Sequence, residues 1–446
     1  MDYLSAASSP WLMASLAILP GLGLVVFIGL SIYRLTLHPY LKYSGPLLAK
    51  LTSWYSVYHT TYYTGDIVRY APNRLLINTQ PALKAIYGHG ANGLSESQIR
   101  SMDVELRRGA SLFAECLDEA EDRFESQTAR PTTTGSDDRW SAAKNMAEWC
   151  DFFTFDAMSQ FVFGTSYHLL DSADNHWIID GVLGQLRRIS FLTQLRELED
   201  MKLNKVLFPA ARRKIIRFTK GNDSKNDLFG KLLAAKDPET GEALSHRQLW
   251  AESNTLIIAG SDTSSTGMAA VFFYLSRNPS AYDRVTKEVR RAFPTPAAVC
   301  QGPKLSSCVY LRACIQEALR LAPAVSGASW REVLPGDLKI KIDGDTDFRP
   351  ERWIPEESGE ETVRLAKAAF VTFSIGPRNC VGMGLAMIEM ALAMAAVISR
   401  YDFRRADGAA GEVGEGKGVF EGQFQTFWAF TSFKDGPMIQ FRPCKC

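Results

Sequence analysis

The sequence carries no excess of charge: among 446 residues, 50 Lys and Arg stand against 49 Asp and Glu, a formal net charge of +1. A global basic field for nucleic acid and an acidic one for cationic partners are both excluded. Cysteine is sparse and irregular, at Cys116, Cys150, Cys300, Cys308, Cys314, Cys380, Cys444 and Cys446. That excludes a dense secreted disulfide framework and points to a reducing compartment. Cys444 and Cys446 lack the second half of a zinc site and read as a frayed tail. Also missing are internal repeats, a dinucleotide-type glycine fingerprint and any Pro-, Gly- or Ser-rich linker in mid-chain. What is there is 46% hydrophobic, 22% charged and 11% aromatic residues, the composition of a globular protein with a large core.

No charged residue occurs from Trp11 to Tyr33, and a helix over that run is about 34 Å long at 1.5 Å per residue, enough to cross a hydrocarbon core. The run is too long for a signal-peptide core and no basic segment precedes it. Arg34, Lys42 and Lys50 follow it, so the positive-inside rule leaves the rest of the chain in the cytosol. Pro39 and Pro46 are expected to hold the next stretch extended. The organisation expected is a short lumenal tail (1–10), a transmembrane helix (11–33), a proline-containing hinge (34–50) and a cytosolic catalytic domain (51–446).

The remainder is mainly α in pattern, with strand-like pieces near Ile67 to Tyr70, Leu75 to Asn78 and Leu338 to Ile342. The longest helical signal lies between Ser245, which forms a capping box with Gln248, and Asn278-Pro279. Its middle is Gly260, Ser261, Asp262, Thr263, Ser264 and Ser265, although Gly inside a helix is unfavourable by about 1 kcal/mol relative to Ala. Two readings stand: a helix bent there with Asp262 capping a local break, or a carboxylate kept in apolar surroundings for a task. A second helix runs from Val309 to Leu321 with Leu311, Ile315 and Leu319 as its apolar face. It sets Glu317 beside Arg320, a pair that gains weight only if a third charged partner joins it.

The strongest signal is Phe373-Ser374-Ile375-Gly376-Pro377-Arg378-Asn379-Cys380-Val381-Gly382, directly before the apolar helix Leu385 to Ile398. A cysteine at a helix start meets free N–H groups and the positive end of the dipole, which favour a thiolate. Gly376 and Gly382 would let the backbone pass close to a flat cofactor, Phe373 would pack on it and Arg378 would neutralise a carboxylate on its edge. One soft anionic ligand without a companion Cys or His fits a haem iron better than zinc.

These residues match F-x-x-G-x-R-x-C-x-G, and the sequence resembles the cytochrome P450 family of haem-thiolate monooxygenases. Ala259-Gly260-Ser261-Asp262-Thr263-Ser264 resembles the family's oxygen-activating helix motif, Glu317-Ala318-Leu319-Arg320 its E-x-x-R motif, and Phe348-Arg349-Pro350-Glu351-Arg352-Trp353 its P-E-R-W motif. The span and hinge resemble microsomal members, and the stretches near Leu47 to Tyr58 and Pro72 to Tyr87 resemble filamentous-fungal members that tailor secondary metabolites. The resemblance implies a cytochrome P450 fold behind a transmembrane helix, anchored as a single-pass protein of the endoplasmic reticulum. It implies haem b (iron protoporphyrin IX) with Cys380 as axial iron ligand and Phe373, Gly376, Arg378 and Gly382 around it. Asp262 and Thr263 become catalytic proton carriers, and Glu317, Arg320 and Arg352 a structural triad. Electrons would come from NADPH through NADPH-cytochrome P450 reductase, with cytochrome b5 as a further donor, and one oxygen atom would enter an apolar small molecule. No nucleic-acid partner is implied. The rivals are a haem-thiolate isomerase or dehydratase, against which Thr263 argues, and a family remnant that holds haem poorly.

Three places look shortened against the family: Thr60 to Asp66, Asn92 to Ser95 and Gly344 to Phe348. The gaps predict the loss of an amphipathic helix, of a haem-propionate clamp, and of the strand and helix that usually separate E-x-x-R from P-E-R-W. They favour the remnant, and they are read as products of gene-model splicing.

Overall fold

The computed structural model describes residues 25–26, 28–37, 47–51, 67–71, 74–77, 107–115, 140–194, 246–325, 347–375, 379–417, 421–429 and 431–444. The chain divides into two units: Met1–Leu83, Phe191–Asp200 and Leu334–Ile342 form the first, and the rest the second.

In the first unit, residues 28–36 are helical, and Ile28, Leu30, Ile32 and Tyr33 are all exposed. Residues 11–24 and 27 of the expected span lie outside the described residues. Residues 38–46, where Pro39 and Pro46 are expected to hold the chain extended, lie outside the described residues. Leu47–Leu51 forms helix α1, and Arg34 Nη1 donates to Leu51 O at 2.6 Å. Strands β1 (Ile67–Ala71) and β2 (Arg74–Ile77) pair antiparallel with Val68 opposite Leu76. They match two of the expected strands, and the third, Leu338 to Ile342, lies outside the described residues.

The second unit contains strand β3 (Lys144–Asn145) and helices α2 (Met146–Phe163), α3 (Trp177–Gln194, of which Phe191 onward counts with the first unit), α4 (His246–Arg277), α5 (Pro279–Ala292), α6 (Val309–Leu321), α7 (Glu360–Ala369) and α8 (Met383–Arg400). Strands β4 (Tyr401–Arg405), β5 (Thr426–Ala429), β6 (Thr431–Lys434) and β7 (Met438–Pro443) follow. They make a three-stranded sheet, β3-β7-β4, and a hairpin, β5-β6. Helix α4 is the spine, packing along α2 and against α6, α8 and β6. Met268 to Leu275 are buried on every side of it, as a helix apolar all round requires. Both helices long and apolar enough to cross a membrane among the described residues, Thr255–Arg277 and Met383–Arg400, are core helices of this kind.

No break interrupts α4, which overturns the bent reading with Asp262 as a local cap. The hydroxyls in its middle bond back to the preceding turn instead: Ser261 to Ile257 O at 2.7 Å, Thr263 to Ala259 O at 2.6 Å and Thr266 to Asp262 O at 2.9 Å. A Cβ at Gly267 would lie 2.9 Å from both Leu319 Cδ2 and Met390 Sδ, so glycine marks the place where α4 meets α6 and α8. The start of α6 is capped from outside. Glu288 on α5 accepts from the N–H groups of Tyr310 and Leu311 at 2.9 and 2.8 Å.

The end of the chain is held, correcting the frayed-tail reading. Cys444 N donates to Arg400 O at 2.9 Å because β7 pairs with β4 along its whole length; Cys446 lies outside the described residues.

Glu317 has no exposed surface. Its carboxylate accepts from Arg320 Nε and Nη2, both at 2.9 Å, from Arg349 N at 3.0 Å, from Arg352 Nε at 3.3 Å and from Trp353 Nε1 at 2.9 Å. The third charged partner of the sequence pair is therefore Arg352. Removing one side of such a buried network destabilises a protein by roughly 3–5 kcal/mol. Glu317→Ala is expected to lower stability by that amount in urea unfolding; a loss below about 1 kcal/mol would show the arginines to be solvated without it.

Candidate active site

Cys380 lies two residues before Gly382, the N-cap of α8, and is a free, exposed cysteine. Its N–H donates to Phe373 O at 2.8 Å, closing the loop between the two. Ser374 turns that loop with φ +60, a conformation uncommon outside glycine, and its N–H donates to Val371 O at 2.8 Å. The ring of Phe373 packs against Phe370 (6.2 Å, 65°), and Phe370 against Trp353 (5.1 Å, 73°), whose indole N–H ends on Glu317. Thr372 adds a bond to Leu319 O at 3.0 Å. The cysteine loop thus rests on α6 and the Glu317 network.

Gly376 and Arg378 lie outside the described residues. Gly382 has φ −86, open to any residue; a Cβ there would sit 3.8 Å from Cys380 Sγ, so glycine leaves that flank of the sulfur bare. Val381 and Met383, close to Cys380 in sequence, are exposed apolar residues. No group of three or more His, Cys, Asp or Glu that could hold a metal ion occurs among the described residues. A lone accessible sulfur suits an iron whose other ligands come from a porphyrin.

The polar middle of α4 serves two faces. Thr263, half-buried, lies one turn before Gly267 and so shares the face turned toward α6 and α8. Ser264 is buried and bonds to Glu389 of α8. Burial pushes the Glu389 carboxyl up to about 8 against the opposing Ser264 bond, and its Oε1 has no partner among the described residues.

Asp262 and Ser265 look the other way, toward α2 and β6. Asp262 is 1% exposed, and its Oδ2 has no partner among the described residues. Burial raises its carboxyl above the usual range and Asp151 adds to the rise, while Lys434 and a bond from Thr431 oppose it. Lys434 Nζ donates to Asp151 Oδ1 and to Ser265 Oγ, each at 2.8 Å, and Ser265 Oγ donates to the same Asp151 oxygen. Asp262 and Thr263 are consecutive, yet they face different neighbours.

Sequence reasoning missed Glu389, Asp151 and Lys434. A carboxylate inside the apolar run Leu385 to Ile398 is the same signal that singled out Asp262, so Glu389 was open to notice. Asp151 and Lys434 carry no local signal, being 283 positions apart.

The family model described as Cytochrome P450 matches residues 111–341 and 346–413. Cytochrome P450 monooxygenase apf7 of Gibberella fujikuroi is 50% identical, with 94% of this chain and 96% of that protein covered. Cytochrome P450 monooxygenase AKT7 of Alternaria alternata is 37% identical, covering 92% and 94%. The crystal structure of the cytochrome P450DA heme domain superposes with a TM-score of 0.58 at 18% identity over 82% of this chain and 76% of that one, a likeness of fold. The alignment with the Gibberella protein spans 512 positions, 66 more than the residues of this chain, so at least that many positions there have no counterpart here. The interruption of the family match at 342–345 falls beside the expected gap at Gly344 to Phe348. With half its aligned residues shared across nearly the whole of a P450 monooxygenase, and with the family model matched over residues 111–341 and 346–413, the chain belongs to the cytochrome P450 family of monooxygenases.

Proposed function

We propose that the protein is a membrane-anchored oxygenase of fungal secondary metabolism that inserts one atom of dioxygen into an apolar small molecule, with NADPH electrons delivered by cytochrome P450 reductase and cytochrome b5 as a further donor. The observation that carries this reading is Cys380, a free, exposed sulfur at the start of an apolar helix, in a chain of this family. Cys380 would hold the haem iron as a thiolate, with Phe373 packed beside the porphyrin and Gly376, Arg378 and Gly382 around it. When bound, the haem supplies the activation of dioxygen, and electron donation from the thiolate favours O–O cleavage, of which this family is itself the standard example.

The chain's own part is to manage protons and exclude water. Thr263 would offer its hydroxyl proton at the haem face, giving up its bond to Ala259 O as it does so. Asp262 would carry protons inward at Oδ2, the oxygen without a partner among the described residues. Glu317, Arg320 and Arg352 would act only as scaffold. The exposed apolar helix 28–36 supports an anchor in the endoplasmic reticulum membrane with the catalytic domain in the cytosol.

Three outcomes test these assignments. The ferrous carbonyl complex of the purified protein should show the red-shifted Soret band of thiolate ligation, and Cys380→Ala should abolish it; a wild-type spectrum in the variant would refute the ligand. In enzyme reconstituted with reductase, Thr263→Ala should retain its haem spectrum while peroxide per NADPH consumed rises several-fold. An unchanged ratio would mean that the hydroxyl only serves the helix. Deleting residues 1–33 should shift the protein from the membrane toward the soluble fraction, whereas release of the full chain by salt alone would contradict a spanning helix.

A further inference from the structure

Two carboxylates and one ammonium meet in the interior where α2, α4 and β6 come together. Lys434 and Asp151 are 3% and 7% exposed, and Asp262 1%. Lys434 has three protons to give; two are placed, on Asp151 Oδ1 and on Ser265 Oγ. Ser265 stands one turn after Asp262 on the same face of α4, and its hydroxyl also contacts Asp262 O at 3.1 Å. The groups facing Asp262 are Asp151 from α2 and Lys434 and Thr431 from β6; Cys150 of α2 lies beside Lys434. Full ionisation of both carboxylates would leave one negative charge buried without a counter-ion among the described residues, an unfavourable state in a low-dielectric interior. One exchangeable proton must therefore reside in the cluster, and the direct bonds of Asp151 to Lys434 and Ser265 leave Asp262 to hold it.

We propose that Lys434 is a positioning residue for the oxygenase reaction: bound to Asp151 and Ser265, it fixes Asp262 as the carboxylate that holds the exchangeable proton, and so sets the pH range in which Asp262 can pass it on. This rests on the reading of Asp262 as the proton carrier. Lys434 touches neither substrate nor haem in this scheme; it acts through Asp262. The direction of the Asp262 displacement agrees, since burial and Asp151 raise it and Lys434 restrains it.

The test is pH-difference infrared spectroscopy of the full-length, haem-loaded protein, reading the C=O stretch of a protonated buried carboxyl. The band is assigned by its loss in Asp262→Asn and separated from Glu389 by Glu389→Gln. Lys434→Met removes a neighbouring cation and should raise the titration midpoint by one pH unit or more; Lys434→Arg should restore it. Asp151→Asn removes a neighbouring anion and should lower the midpoint, so the proposal stays testable if Lys434→Met does not fold. A midpoint unmoved in Asp151→Asn and in any folded Lys434→Met, or a band lost in Asp151→Asn instead of Asp262→Asn, overturns the proposal. Peroxide yield separates the two readings: an unchanged yield in Asp262→Asn refutes the proton-carrier role, whereas the infrared midpoints decide what Lys434 does to Asp262.

Discussion

The structure hangs on one carboxylate that water does not reach. Glu317 sits on α6 with no exposed surface, and a charge so placed must be met by donors or neutralised. The donors come from two parts of the chain: Arg320 one turn on, and the 349–353 turn through a backbone N–H, an arginine and an indole. Because Trp353 supports Phe370, and Phe370 supports Phe373, the position of the Cys380 loop is fixed by the geometry at Glu317. An ion pair that looks like surface decoration in the sequence is thus the support for the sulfur.

Helix α4 solves a different problem, that of carrying polar groups through a core. Its hydroxyls donate to carbonyls of the preceding turn, which lets Ser261, Thr263 and Thr266 occupy an unbroken helix without distant partners. The carboxylates have no such local remedy. Asp262 draws on β6, and Glu389 on Ser264, each keeping one oxygen without a partner among the described residues. Two buried acids whose carboxyls burial raises, Asp262 on α4 itself and Glu389 on α8, thus lie near the same stretch of α4.

Features within a few turns of one another were legible in the sequence. The bounds of α6 follow from Leu311, Ile315 and Leu319 and from Pro323, and the structure has the helix over Val309–Leu321. The cysteine motif was readable because its residues are contiguous, and the triad because family order supplied Arg352. Long-range compensation was not legible. Glu288 capping α6, Lys434 meeting Asp151 and Cys444 bound to Arg400 depend on topology, and no periodicity encodes a partner on another element.

The shortened connection between α6 and the P-E-R-W turn can be judged by the same network. A missing strand and helix would be expected to leave Glu317 and its arginines apart, with buried polar groups each unfavourable by roughly 1–3 kcal/mol. They remain together: Arg320 Nη2 reaches Asp347 O at 3.1 Å, and the Glu317 carboxylate still meets Arg349, Arg352 and Trp353. The support of the cysteine loop is therefore intact among the described residues on either side of 342–345, where the family match is interrupted.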